Sequence, residues 1–220
     1  MSSQFDFGDG LGLVPAHRHV NPDGALGGWV AESATVAPTV TIGCDAKVFG
    51  SALISDYAKV LSHAAVFGNA YVRDNAMVSD FAQVCGSCFI KDQAVVKGKA
   101  TITDDAWVAG NSQITDSARI TGHALIFDEA IVAGNARVTD EARIRNRAQI
   151  QDWAFVGGKA HVGDQALVYQ NAQIIETAQV DGDSVIGGHV ILMTGHYSNH
   201  RADTMSESVA ALLDIDASIG

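Results

Sequence analysis

A six-residue unit repeats without interruption through most of this chain. From Val30 to Leu192, the twenty-eight positions spaced six residues apart are all Val or Ile, with Leu only at the last. The residue two positions before each of them is Gly28 at the first and then nearly always Ala; the departures are Val40, Cys88, Ser112, Ser184 and Val190. Residues two apart on an extended strand point to the same side. Each unit therefore predicts a short strand with two inward side chains, and the strict spacing of six excludes a helix.

Each unit ends in a residue that can bend the chain. Two positions after each Val or Ile, Gly, Asp and Asn predominate, and these residues tolerate left-handed backbone at low cost. From Asp80 to Asp140 Gly and Asp alternate at this position. With two strands per turn the Asp residues would stack, and like charges roughly 4.8 Å apart cost about 1 kcal/mol per neighbour. Three strands per turn would instead make Gly and Asp alternate along one corner: Gly86, Asp104, Gly122, Asp140, Gly158 and Glu176.

A second pattern also favours three strands, or eighteen residues, per turn. The outward residue before each Val or Ile, taken every eighteen positions, gives an apolar series: Leu53, Tyr71, Phe89, Trp107 and Leu125. At a period of twelve the same positions are mixed with Lys, Gln and Arg. The sequence thus predicts one continuous apolar column on a flat face. Because monomers rarely expose such a patch, it favours a homo-oligomer. Binding of a protein partner or a glycan is the second interpretation, and scattered surface hydrophobic residues without a role are the third.

The pattern Val/Ile-x-x-x-Ala-x, taken in threes, resembles the hexapeptide-repeat left-handed β-helix of the bacterial transferase superfamily. The start Gly27-Gly28-Trp29-Val30 and the Gly-Asn-Ala-x-Val-x and Asp-x-Ala-x-Ile-x units resemble its YdcK-like and phage-encoded branch. The resemblance covers residues 27–192. It implies an all-β fold, a single-stranded, three-sided parallel left-handed β-helix with about nine coils. It also implies a trimer, since face-to-face packing about a threefold axis is common in the superfamily.

The ends of a solenoid expose unpaired strand edges and need caps. Residues 1–27 lack the repeat and are rich in Gly and Pro, so we expect an N-terminal arm and cap there. Residues 28–192 are the β-helix. Residues 193–220 leave the repeat, and we expect a C-terminal cap or tail in which 206–213 forms a short helix.

The charge balance limits the partners. With a net charge of -11 and a pI of about 4.9, the surface repels nucleic acid and anionic membranes. No apolar run has the length of a membrane span, so we expect a cytoplasmic protein, or a virion-associated one if it is phage-encoded. The spacing of the three cysteines predicts no disulfide framework. We also expect no metal site, because the sequence lacks the histidine trio of the γ-class carbonic anhydrases that share this fold.

The histidines are the candidate catalytic residues. Enzymes that the chain resembles bind an acyl carrier between subunits and use a histidine on a coil or an excursion loop, but here no loop interrupts the repeat. The candidates for a general base are the tail residues His189, His196 and His200. His17 and His19 of the arm form a second group with no assigned role. A polar cap is the alternative interpretation of the tail.

A local group of arginines is a candidate anion patch; its members are Arg137, Arg143, Arg145 and Arg147. Neighbouring Asp140, Glu141 and Asp152 favour a salt-bridged, solvated face instead. Three functions follow from the sequence. The first is a non-catalytic scaffold or binding protein, oligomeric through one β-face and needing no cofactor. The second is an acyl-CoA-dependent acyltransferase. The third is an acidic inhibitor that mimics nucleic acid.

Overall fold

A single six-residue unit shows how the chain turns its corners. In the unit Ala52 to Tyr57, Leu53 and Ile54 form the strand, with Ile54 fully buried and Leu53 partly exposed. The chain then bends at Asp56, whose φ is 57°, and the N–H of Ala58 donates to the carbonyl of Ser55 across the turn (3.3 Å). Every corner residue from 50 to 188 has a positive φ, which explains the predominance of Gly and Asp there.

The computed structural model describes residues 3–202, in which three such units make one turn of a parallel β-helix. All described elements are strands, arranged in three sheets that run along the rod. No helix occurs in these residues, and so none that could span a membrane. The predicted helix at 206–213 lies outside the described residues.

Sheet A contains strands β1 (Ser3–Asp6), β2 (Leu13–Val20), β3 (Leu26–Ala31), β6 (Lys47–Val48), β9 (Ala65–Val66), β12 (Gln83–Val84), β15 (Thr101–Ile102), β18 (Arg119–Ile120), β21 (Arg137–Val138), β24 (Phe155–Val156), β27 (Gln173–Ile174) and β30 (Ile191–Leu192). Sheet B contains strands β4 (Thr35–Val36), β7 (Leu53–Ile54), β10 (Tyr71–Val72), β13 (Phe89–Ile90), β16 (Trp107–Val108), β19 (Leu125–Ile126), β22 (Arg143–Ile144), β25 (His161–Val162), β28 (Gln179–Asp181) and β31 (His196–Ser198). Sheet C contains strands β5 (Thr41–Ile42), β8 (Lys59–Val60), β11 (Met77–Val78), β14 (Val95–Val96), β17 (Gln113–Ile114), β20 (Ile131–Val132), β23 (Gln149–Ile150), β26 (Leu167–Val168), β29 (Val185–Ile186) and β32 (Arg201–Ala202).

The prediction of an all-β, three-sided parallel β-helix is confirmed. Each strand pairs in parallel with the strand eighteen residues later, as Tyr71 pairs with Phe89. The rod has about ten turns rather than the predicted nine coils, because β31 and β32 of the tail continue sheets B and C. Residues 193–195 break the spacing of six, but the chain resumes parallel pairing directly after them.

The interior is filled by the inward Val, Ile and Ala side chains that the repeat predicts. Nearly all of them have no exposed surface, including Ile54, Ile90 and Ile126 at successive levels of sheet B. Cys88 lies in this core, where burial raises the pKa of its thiol to about 12. Small and β-branched side chains fit the narrow interior, and the described aromatic residue that packs against it is the partly buried Tyr197 of the last turn.

The predicted corner column in which Gly86, Asp104 and Gly122 follow one another is confirmed. The residue after Gly86, Ser87, donates its N–H to the carbonyl of Asp104, and the residue after Asp104, Asp105, donates its N–H to the carbonyl of Gly122. A different corner departs from the alternation: Asp56, Asp74 and Asp92 occupy three consecutive turns. Their carboxylates do not face one another without partners. The hydroxyl of Ser55 donates to Asp56 and lowers its pKa, and the N–H of Asp74, which also donates to Asp56 (3.3 Å), lowers it further.

The N-terminal strands close one end of sheet A. Strands β1 and β2 form an antiparallel hairpin that pairs with β3, so the edge of the first turn is not left open. Asn21 exchanges two hydrogen bonds with the backbone of Ile42, at 3.1 and 2.8 Å. His19 is buried, with its Nε2 atom 2.9 Å from the carbonyl oxygen of Val40. These side chains satisfy backbone groups that the first turn would otherwise expose.

Aromatic rings hold the hairpin against the outer surface of sheet A. Phe5 stacks on Trp29 with ring centroids 4.6 Å apart, and Phe7 stacks on Phe49 at 4.9 Å. Phe49 in turn stacks on Phe67 of the next turn at 4.7 Å, with the two rings nearly parallel. This cluster is a second, smaller apolar core outside the solenoid.

Candidate functional site

The apolar column predicted on one face lies on sheet B. Strand pairing places Leu53 beside Tyr71, Tyr71 beside Phe89, Phe89 beside Trp107 and Trp107 beside Leu125. All five side chains point outward, because the residue that follows each of them in its strand is buried. We call these five residues the apolar ladder. Its four steps of about 4.8 Å make a stripe about 19 Å long.

The rings of the ladder touch one another and remain open to solvent. The ring centroids of Tyr71 and Phe89 lie 5.5 Å apart, and those of Phe89 and Trp107 lie 5.8 Å apart. Phe127, on the same face, meets Trp107 edge-on at 6.0 Å. Phe89 and Trp107 are 44% and 38% exposed. Contact between the rings fixes their positions, so the ladder is a preformed apolar surface.

Two cations lie beside the ladder. The Nζ atom of Lys91 lies 5.5 Å from the centre of the Trp107 ring and 3.6 Å from Oδ2 of Asp92. The Cζ atom of Arg73 lies 6.0 Å from the centre of the Tyr71 ring, and its Nε atom is 3.8 Å from Asp74. Each cation therefore interacts with a ladder ring and with a corner carboxylate.

Beyond Leu125 the same face becomes cationic. Arg143 occupies the next position of the column, in register with Leu125 on one side and His161 on the other. Arg145 is the second outward residue of that turn, and its side chain lies across Gly163. A Cβ atom added to Gly163 would be 3.2 Å from Nε of Arg145. Burial lowers the pKa of His161, and Arg143 and Arg145 lower it further. Within residues 3–202, neither arginine has an ion-pair partner.

The four arginines of the candidate anion patch lie in different places. Arg143 and Arg145 lie together on sheet B, whereas Arg137 lies on sheet A with its Cζ atom 5.9 Å from the Phe155 ring centre. Arg147 lies at the corner after sheet B, and its Nε atom is 3.0 Å from Glu129 of the preceding turn. Residues six apart in sequence lie on different faces of this fold, so a cluster along the chain does not become a cluster in space.

The tail histidines also separate. Nε2 of His196 lies 2.6 Å from Oδ2 of Asp181, and this contact is the main reason that the pKa of Asp181 is lowered. The His200 ring packs against Tyr197, and its backbone N–H donates to Ser184. His189 is exposed at a corner between sheets C and A. Of these three tail histidines, His196 alone has a carboxylate partner among the described residues, and such a partner can orient a general base.

Asp181 was missed by the sequence reasoning. It is the second outward residue of its turn on sheet B, two levels after Arg145, and its backbone pairs with Ser198. His196 reaches it because the break at 193–195 shortens the spacing between β28 and β31 to seventeen residues. A search that allowed this shift could have paired the two. The arm histidines lie at the other end, where Nδ1 of His17 is 2.9 Å from Glu32.

A polar groove lies along the corner between sheets B and C. Its volume is about 540 Å³, and its walls include Glu129, Arg147, Asp164 and Asn199. The groups in it satisfy one another: Asn146 donates to Asp164 at 2.7 Å, and the N–H of Asp183 donates to Asn199 at 3.0 Å. Within residues 3–202, no group of three or more His, Cys, Asp or Glu side chains could hold a metal ion.

The outer surface of sheet B therefore has two halves. One half is apolar and consists of the ladder, and the other is polar and carries Arg143, Arg145, His161 and the His196–Asp181 pair. A comparison with models of known protein families and a comparison with curated proteins both gave no match.

Proposed function

We propose that this chain is a non-catalytic scaffold or binding protein that assembles with copies of itself through the apolar ladder. The observation that carries the proposal is the continuity of the ladder over five turns, with rings in contact and partly exposed. A soluble monomer gains nothing from a preformed apolar stripe of this length, whereas an interface between subunits buries it. We include in this proposal that the chain belongs to the YdcK-like and phage-encoded branch that its repeat units resemble.

Charge supports a cyclic trimer over a face-to-face dimer. The outward positions of sheet B carry the cations Arg73, Lys91, Arg143 and Arg145 against one acid, Asp181. Two copies of sheet B packed on each other would bring these like charges together. In a ring of three, sheet B of one subunit meets a different surface of the next. The corners of this chain carry most of its carboxylates, such as Asp80, Asp104 and Asp116, and a corner facing sheet B would supply acidic groups to these cations.

The test is the mass of the protein in solution with and without a charge in the ladder. Sedimentation equilibrium of the wild type should give three times the chain mass of 23.0 kDa, and Trp107→Glu should give the monomer mass. Trp153→Glu is the matched control, because Trp153 is 65% exposed at a corner outside the ladder. A monomeric wild type, or a Trp107→Glu protein that still assembles, would rule out the proposal. Circular dichroism confirms that both variants fold.

A second function, acyl transfer from acyl-CoA, is favoured by the His196–Asp181 pair. A histidine oriented by a carboxylate can take the proton from an attacking hydroxyl or amine, and the contact of 2.6 Å fits this role. The side chain of His196 is 57% exposed, so an acceptor could reach it. Acetyl-CoA should then raise the melting temperature, and His196→Ala should abolish acetyl transfer to amine and hydroxyl acceptors. No shift at millimolar acetyl-CoA would exclude this second function.

A further inference from the structure

Two arginines on sheet A lie side by side without a counter-charge. Arg119 and Arg137 are paired in register in neighbouring strands, and both side chains are exposed. Like charges directly opposite each other on neighbouring strands are destabilising. Other basic side chains of this chain avoid that, since Arg147 pairs with Glu129 and Lys159 with Glu141. Among the described residues, neither Arg119 nor Arg137 has such a partner.

The aspartates nearest in sequence are already engaged. Asp116 precedes Arg119 by three residues, and its Oδ2 atom accepts the N–H of Gly134 at 2.9 Å. Asp140 follows Arg137 by three residues, and its Oδ2 atom accepts the N–H of Gly158 at 2.8 Å. Both carboxylates thus hold the backbone of the next turn. The two guanidinium groups keep their charge available for a ligand.

Threonine hydroxyls line the same face beside the arginines. Thr121 and Thr139 are the second outward residues of the Arg119 and Arg137 turns. The hydroxyl of Thr121 donates to that of Thr139 at 3.0 Å. The Thr139 hydroxyl accepts this bond and keeps its own O–H free to donate, and no described residue accepts that O–H. Two guanidinium groups and a hydroxyl donor together suit an anion with several oxygen atoms.

One of the arginines is held in place by a ring. The guanidinium of Arg137 lies over Phe155, with Cζ 5.9 Å from the ring centre. The Phe155 ring itself lies over Gly157, where an added Cβ would be only 2.7 Å from Cε1 of the ring. Glycine at this position therefore allows the ring to support Arg137. Such support fixes the guanidinium without neutralising it, which reduces the entropy lost when an anion binds.

We propose that Arg119, Arg137 and the hydroxyl of Thr139 bind one phosphate dianion, either free or as the phosphate group of a small monoester. Two positive charges on adjacent turns match the two charges of the dianion, and the donors match its tetrahedral oxygen atoms. A polyanion such as nucleic acid is disfavoured by the net charge of -11 outside this spot. The site lies on a different sheet from the apolar ladder and does not depend on the proposed assembly.

The test is a titration followed by ¹H–¹⁵N correlation spectra at constant ionic strength. One arm uses inorganic phosphate, a second uses glycerol 3-phosphate as a monoester, and acetate serves as the monoanion. Either phosphate should give saturable shifts at Thr121, Arg137 and Thr139, with a dissociation constant on the order of millimolar. The double variant Arg119→Gln/Arg137→Gln should weaken binding at least about tenfold, and Thr139→Val about threefold.

The control variant changes charge by the same amount elsewhere. Arg147→Gln/Lys159→Gln removes two ion-paired cations at the corners and should leave the affinity unchanged within about twofold. Equal weakening in both double variants would reveal a general charge effect and overturn the proposal. The proposal would also be overturned if the chemical shifts did not saturate with inorganic phosphate or with glycerol 3-phosphate at about 50 mM. Thermal unfolding of each variant verifies the fold, and removing the two like charges of Arg119 and Arg137, which lie opposite each other, should not destabilise it.

Discussion

The carboxylate of Asp104 accepts a hydrogen bond from the backbone N–H of Gly122, eighteen residues later and one turn further along the rod, at 2.9 Å. With Asp104 included, the same arrangement occurs at ten aspartates of the described residues, from Asp56 to Asp164. Aspartate at a corner therefore serves two purposes. It adopts the left-handed conformation of the turn, and it fastens the next turn to its own.

Replacing Asp104 by Ala should destabilise the protein. The change removes the bond to Gly122 and leaves a residue with no local hydrogen bond at a φ of 61°. We expect a loss of about 1–2 kcal/mol in the free energy of unfolding, measured by urea denaturation. Asp104→Asn is the control, because Asn tolerates this conformation and keeps an acceptor, and should cost less than about 0.5 kcal/mol. Equal stability of the Ala variant and the wild type would contradict the fastening role.

Two buried serines should respond to Ala in opposite directions. Ser112 replaces Ala in the core, and its hydroxyl has no hydrogen-bond partner, so Ser112→Ala should stabilise the fold by about 1 kcal/mol. The hydroxyl of Ser184 donates to the carbonyl of Asp181 at 2.6 Å, lies 3.0 Å from the carbonyl oxygen of Tyr197, and accepts the N–H of His200. Ser184→Ala should therefore destabilise by about 1–3 kcal/mol. Urea denaturation of both variants checks the signs, and two changes of the same sign would refute this account.

The three cysteines should react with a thiol reagent in a fixed order. Cys44 is exposed and should react first. Burial raises the pKa of the half-buried Cys85, so its reaction at pH 8 should be slower. The pKa of Cys88 is about 12, and its thiol should react only after unfolding. Ellman's reagent measures the three phases, and Cys44→Ser should remove the fastest. Reaction of a third thiol in the native protein would contradict the buried position of Cys88.

The last turn should weaken in acid through Asp181. Its pKa is below the ordinary value of 3.8, mainly because of its hydrogen bond with His196. A carboxyl with a lowered pKa in the folded state stabilises that state above its ordinary pKa, and this contribution is lost as the pH falls through the lowered value. Hydrogen exchange of β31 amides at pH 7, 5 and 3 should thus differ between wild type and Asp181→Asn by the same amount at the first two values and by less at the third.

Asp183→Asn is the control for that measurement, since among the described contacts Asp183 uses only its backbone N–H. It should behave as the wild type at every pH. A constant difference between wild type and Asp181→Asn down to pH 3 would show that the carboxylate is not responsible.

The sequence predicted what depends on register within the repeat. Leu53 and Leu125 are four periods of eighteen apart, and nothing between them is inserted or deleted, so their alignment follows from counting. Repulsion between corner carboxylates was a weaker guide. It correctly favoured three strands per turn, but it gave no reason to expect Asp74 to lie between Asp56 and Asp92. Backbone N–H groups satisfy these carboxylates, and the spacing of side chains does not reveal such bonds.

Features outside the repeat could not be predicted in the same way. The position of His196 beside Asp181 depends on three residues that break the period, and sequence spacing does not say how the chain crosses such a break. The hairpin of β1 and β2 has no periodicity that reveals its pairing with β3. The aromatic contact between Phe7 and Phe49 joins positions forty-two residues apart, and only the folded hairpin brings them together.

Strands β6 to β27 of sheet A, like those of the other two sheets, bond only to the level before and the level after. Deleting or duplicating eighteen residues would therefore keep every remaining inward side chain in an equivalent environment. The separation between the hairpin at one end and the His196–Asp181 contact at the other can change only in increments of one level, about 4.8 Å each. The length of the rod is therefore set by a whole number of eighteen-residue turns.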